Sequence, residues 1–73
     1  MAIREKYKEE VKLTFYNNTF TKIGTLYLEG WKTVDMLLEK FYIDLDYYEY
    51  IITSEGVEIQ EEDIKYIEID DGY

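Results

Sequence analysis

From Val11 the chain alternates apolar and polar side chains. Val11, Leu13 and Phe15 fall on one side of an extended backbone and Lys12, Thr14 and Tyr16 on the other, the two-residue period of a half-buried strand. Asn17 and Asn18 tolerate the left-handed backbone of a turn, and the loop they open can reach Gly24. A second strand is expected over Ile23 to Glu29, with Leu26 and Leu28 inward, Thr25 and Tyr27 outward, and Gly30 at its end. The period then changes. Val34, Leu37, Leu38 and Phe41 recur every three or four residues, one apolar helical stripe that Leu45 extends only if the helix runs that far, while Asp35, Glu39 and Lys40 stay wet. Thr33 suits the N-cap, and Asp35 faces the positive end of the helix dipole.

The helix is expected to stop between Tyr42 and Asp44, because Tyr47 to Thr53 is rich in the aromatic and β-branched residues that favour a strand. Ser54, Glu55 and Gly56 supply a turn, with Gly56 free to adopt the left-handed conformation. Val57 and Ile59 alternate around Glu58 as a short strand. Gln60 to Asp63 make an acidic loop or single helical turn, and Ile64 to Ile69 a closing strand. Residues 1–10 mix both signs of charge around Ile3 and Tyr7 and form either an arm or a short helix. The expected class is α+β. Residues 11–73 make a single domain, a small four- or five-stranded, mostly antiparallel sheet with one helix packed on one face, in the order ββαββ.

That element order, over residues 11 to 70, resembles the ubiquitin-like β-grasp. Members of that family used as conjugation tags or sulfur carriers end in Gly-Gly, whereas this chain ends Asp71-Gly72-Tyr73, so adenylation of its terminus is not expected.

Length limits what the fold can hold. A domain of 73 residues buries only about 60% of its unfolded surface, which leaves little volume for a deep active-site cleft. At 47% hydrophobic and 18% aromatic the chain is apolar enough to fold. The absence of Cys excludes disulfides and thiolate chemistry. Neither a charged-then-apolar leader nor an apolar run of about 18 residues is present, so the expected address is the cytoplasm, that of a bacterial host cell if the chain is phage-encoded.

Charge is sorted along the chain. Residues 1–40 carry a balance of plus one and residues 41–73 a balance of minus ten, Lys65 being the single base of the second part. Such sorting creates a directed field that attracts basic partners and repels nucleic acid. The early bases, interleaved with Glu5, Glu9 and Glu10, do not make a nucleic-acid patch.

Catalysis is not expected. With no His and no Cys, proton transfer and nucleophilic attack fall to carboxylates, Lys, Tyr and hydroxyls. A carboxylate pair drawn from Asp44, Asp46 and Glu49 needs a dry pocket to raise one pKa, and a core this small does not offer one. The run from Asp44 to Glu49 lacks the third acid and the glycine of an EF-hand loop, so no metal or cofactor is implied.

Binding remains. Acids at i and i+2 on a strand stand about 6.6 to 6.8 Å apart, a spacing of the same order as neighbouring phosphates, and Glu68 and Asp70 have it. Glu58 is expected on an adjacent strand, Glu55, Glu61, Glu62 and Asp63 in the loops at the sheet's end, and Asp44, Asp46 and Glu49 flanking the helix exit. Nine tyrosines exceed what a small core uses. Tyr47, Tyr50 and Tyr66 lie within the acidic half, where rings beside carboxylates can stack on an incoming arginine. Tyr48, Tyr50 and Tyr66 also suit covering a sheet, and Trp31 suits a lid over the core.

A small, cysteine-free, acidic domain with a tyrosine-rich face is similar in type to the DNA-mimic inhibitors that bacteriophages turn against host defence, anti-CRISPR proteins among them. Asp44, Asp46, Glu49, Glu55, Glu58, Glu61, Glu62, Asp63, Glu68, Asp70 and Asp71 carry that resemblance of composition. It implies inhibition by occupying the basic groove of a nucleic-acid-binding protein such as a CRISPR effector or a restriction, repair or replication enzyme. The alternative is a ubiquitin-like adaptor or structural module whose acids serve solubility. Homodimerisation through a tyrosine-covered sheet is compatible with either.

Overall fold

The computed structural model describes residues 9–71. The elements follow in the order β1 (Glu9–Tyr16), β2 (Lys22–Gly30), α1 (Val34–Tyr48), β3 (Tyr50–Ile52), β4 (Glu58–Gln60), a 3-10 turn (Glu61–Asp63) and β5 (Tyr66–Asp70). The arm or helix expected over residues 1–10 lies outside the described residues as far as residue 8, while Glu9 and Glu10 already belong to β1.

β1 is the middle strand, antiparallel to β2 on one side and to β5 on the other. Its Val11, Leu13 and Phe15 are completely buried, as their alternation requires. Leu26 and Leu28 of β2, and Ile67 and Ile69 of β5, take the same face by register. The other face is less open than a half-buried strand implies: Thr14 and Thr25 oppose one another and are both buried, surrounded in the register by Lys12, Tyr16, Tyr27 and Glu68.

One helix lies against the apolar face. Phe41 and Leu45 are buried, Val34, Leu37 and Leu38 partly so, and the Phe41 ring stacks on Phe15 with centroids 5.9 Å apart. The Thr33 hydroxyl accepts the Met36 N–H at 3.2 Å and caps the first turn. The helix does not stop at Tyr42 to Asp44 as its sequence suggests. Leu45 still points inward, so helical burial outweighs local strand preference, and the helix closes only where Glu49 turns left-handed (φ 66°) and donates its N–H to the Leu45 carbonyl at 2.8 Å.

That extension shortens the next strand to Tyr50–Ile52, and the element order is ββαβββ rather than the expected ββαββ; in place of a single four- or five-stranded sheet there are a three-stranded sheet, β2-β1-β5, and a separate pair, β3-β4. The pair joins the same core through Ile51 and Ile59, which oppose one another and are buried. Its turn closes on Gly56, left-handed as expected (φ 83°). Ser54 bonds to the outer edge of β2, donating its N–H to the Thr25 carbonyl at 2.8 Å and accepting the Tyr27 N–H on its hydroxyl at 3.2 Å.

Trp31 is 62% exposed and is not a lid. Leu37 occupies the sheet's end instead, its Cδ2 lying 3.2 Å from where a Cβ on Gly30 would stand.

Candidate partner-binding surface

The helix exit, β4 and the 3-10 turn gather five of the expected carboxylates into an acidic shoulder. The Glu61 N–H donates to the Glu49 carbonyl at 3.0 Å, which ties the turn to the helix end. The Ile64 N–H then donates back to the Glu61 carbonyl at 3.0 Å and closes the turn that presents Glu61, Glu62 and Asp63 in succession. Glu49, Glu61 and Glu62 line a cleft of about 230 Å3 with Gln60, whose amide donates to the Glu58 carboxylate. Glu58, Glu62 and Asp63 border a wider hollow of about 420 Å3 beside Asn17, Asn18 and Lys65.

The remaining acids are carried elsewhere. Glu68 and Asp70 stand on the outer face of the three-stranded sheet, on the same side as Tyr66, Tyr16 and Lys12, and Asp71 follows them. Glu55 is at the tip of the β3-β4 turn. Asp46 is exposed on the helix, and Asp44 pairs with Lys40 one helical turn back at 2.9 Å, an exposed pair worth little to stability. The carboxylates therefore reach the surface from several elements, with the shoulder their densest group.

The tyrosines divide in the same way. Tyr47, Tyr48 and Tyr50 form an edge-to-face chain at the helix exit, with centroids 4.9 and 6.3 Å apart. Tyr48 and Tyr50 border an apolar groove of about 340 Å3 with Leu26, Leu28 and Asp44. Tyr66 opposes Tyr16 across β5 and β1, rings 5.7 Å apart. The Tyr16 hydroxyl donates to the Glu68 carboxylate at 3.0 Å, and that bond, then partial burial, then the negative charge of Glu68 raise the Tyr16 pKa above the ordinary tyrosine range.

Two residues of this second group were not legible as site residues. Tyr16 reads as an ordinary strand position. Phe20 is 74% exposed in a left-handed conformation (φ 60°), and the signal that marks it is a lone aromatic inside the polar run Asn17-Asn18-Thr19-Phe20-Thr21-Lys22.

Among the described residues no group of three or more acids is placed to hold a metal ion, and no helix is long and apolar enough to cross a membrane. No known protein family matches the chain, and neither a curated protein nor a solved structure matches it.

Proposed function

We propose that the protein is a non-enzymatic binding module that seats its acidic surface in the basic groove of a nucleic-acid-binding protein and excludes the nucleic acid from it. The observation that carries this reading is the shoulder, where Glu49, Glu58, Glu61, Glu62 and Asp63 crowd around one turn of chain with Lys65 as their neighbouring base. A groove that neutralises phosphates with Lys and Arg offers the same counter-charges to such a surface and releases counterions in the same way. Defence, restriction, repair and replication proteins all present grooves of this kind, and inhibition of a CRISPR effector or similar enzyme by a phage-encoded mimic is the setting this chemistry suits.

Capture of partners from a lysate of the native host, followed by challenge with duplex DNA or RNA, tests the reading. Nucleic acid is expected to displace the partner, and affinity is expected to fall steeply with ionic strength. A partner that stays bound against excess nucleic acid at moderate salt rules the mimic out.

An adaptor reading has one observation in its favour. Met36, Ile43 and Tyr47, spaced by seven and four residues, are 49%, 61% and 77% exposed on the helix. Docking through that stripe predicts an interface with little salt dependence, so the same titration separates the two.

A further inference from the structure

We infer that the cleft of about 230 Å3 lined by Tyr16, Phe20, Tyr66 and Glu68 receives an arginine side chain of the partner protein. The inference rests on the reading that the partner is basic, and adds to it a position and a residue type.

The four side chains come from three segments. Tyr16 ends β1, and Tyr66 begins β5 directly opposite. Glu68 lies two residues further along the same face of β5. Phe20 projects from the β1-β2 loop, which is tied by Asn17: its side-chain oxygen accepts the Thr19 N–H at 3.0 Å, the Thr19 hydroxyl at 2.8 Å and the Thr21 N–H at 3.0 Å. A ring on a tied loop loses little freedom when it is covered, which favours binding.

Three rings beside one carboxylate match a guanidinium better than other ligands. A guanidinium stacks on aromatic faces and offers two parallel N–H groups to a carboxylate, whereas an ammonium is a strongly hydrated point charge. The Tyr16 hydroxyl holds one oxygen of Glu68 and thereby orients the group; among the described residues no lysine or arginine pairs with it. A nucleobase also stacks on rings, but its phosphates are repelled by Glu68 and by a chain of net charge −9.

The test is an NMR titration of the full chain with an oligo-arginine peptide and an oligo-lysine peptide of equal length. The arginine peptide is expected to bind about threefold to fivefold more tightly, with the largest shifts at Tyr16, Phe20, Tyr66 and Glu68. That preference is expected to vanish in Phe20→Gly, which keeps a residue suited to positive φ, and in Glu68→Gln. Equal affinities, or shifts confined to residues 58–63, overturn the arginine site and leave the basic-partner reading standing. Binding of neither peptide overturns both. Ring shifts that depend on protein concentration without peptide assign the cleft to a second copy and also overturn it. Conversely, a partner that nucleic acid fails to displace removes the mimic reading even where arginine discrimination persists.

Discussion

The hydrogen bond from Tyr16 to Glu68 runs diagonally across two strands: Tyr16 is opposite Tyr66 in the register, and Glu68 is opposite Thr14. Thr14 is buried and short, so the carboxylate has room to reach sideways to the phenol. A donor bonded to a carboxylate holds its proton, which raises the Tyr16 pKa above the ordinary value of 10.0. Because the folded pKa exceeds the unfolded one, the stability this bond contributes is complete below about pH 10 and is lost as pH rises through the folded pKa. Glu68→Gln removes the charge and weakens the bond, so the Tyr16 titration is expected to move down toward the ordinary value. NMR of labelled tyrosine rings, assigned with Tyr16→Phe, reads this directly; an unchanged titration in Glu68→Gln means that the carboxylate does not govern the phenol.

Gly24 sets how closely the β3-β4 pair approaches the main sheet. A Cβ there would stand 2.6 Å from both the Ile59 Cδ1 and the Thr53 Cγ2, each belonging to a buried residue. Gly24→Ala is therefore expected to destabilise the fold by about 1–3 kcal/mol, since both methyls must shift inside a packed core to make room. Urea denaturation measures it. A loss no greater than that of a surface substitution shows that the hairpin is free to move off the sheet.

Glu49 holds two roles that a single substitution separates. Its left-handed backbone ends the helix, a conformation that favours glycine, while its side chain lines the acidic shoulder. Glu49→Gly is expected to stabilise the protein by up to about 1 kcal/mol and to weaken partner binding. Thermal unfolding and a binding titration on the same variant check both signs. Binding left at full strength removes Glu49 from the interface.

What the sequence reveals depends on whether a residue's fate is local. Val11, Leu13 and Phe15, the stripe from Val34 to Leu45, the Thr33 cap and the Gly56 turn are legible because periodicity and backbone preference act within a few residues. The helix end is not, because Tyr47 and Tyr48 have strand preferences that lose to the burial of Leu45, a tertiary effect. The split of the sheet is not legible either, because β3 and β4 pair with one another and not with β1, β2 or β5, a choice of partners that lies beyond local preference. Of the candidate site, the density of acids at residues 58–63 is visible in the sequence, since those residues are consecutive. The meeting of Tyr16, Phe20 and Tyr66 is not, because it depends on the β1-β5 register over some 50 positions.

The shoulder should carry a stability penalty that a functional surface tolerates. Glu58 and Glu62 border one hollow and Glu61 and Glu62 another, so like charges share a small area of surface, and their mutual repulsion opposes folding at low ionic strength, where screening is weak. The triple substitution Glu58→Gln, Glu61→Gln and Glu62→Gln keeps side-chain size and leaves an amide oxygen to accept the Gln60 hydrogen bond. It is expected to raise the melting temperature at low salt, with the difference from wild type shrinking as salt is added, and to abolish partner capture. A gain in stability joined to a loss of binding is the signature of charges held in place for recognition. Melting at a lower temperature than wild type assigns these carboxylates a structural role instead, and undiminished capture moves the interface away from the shoulder.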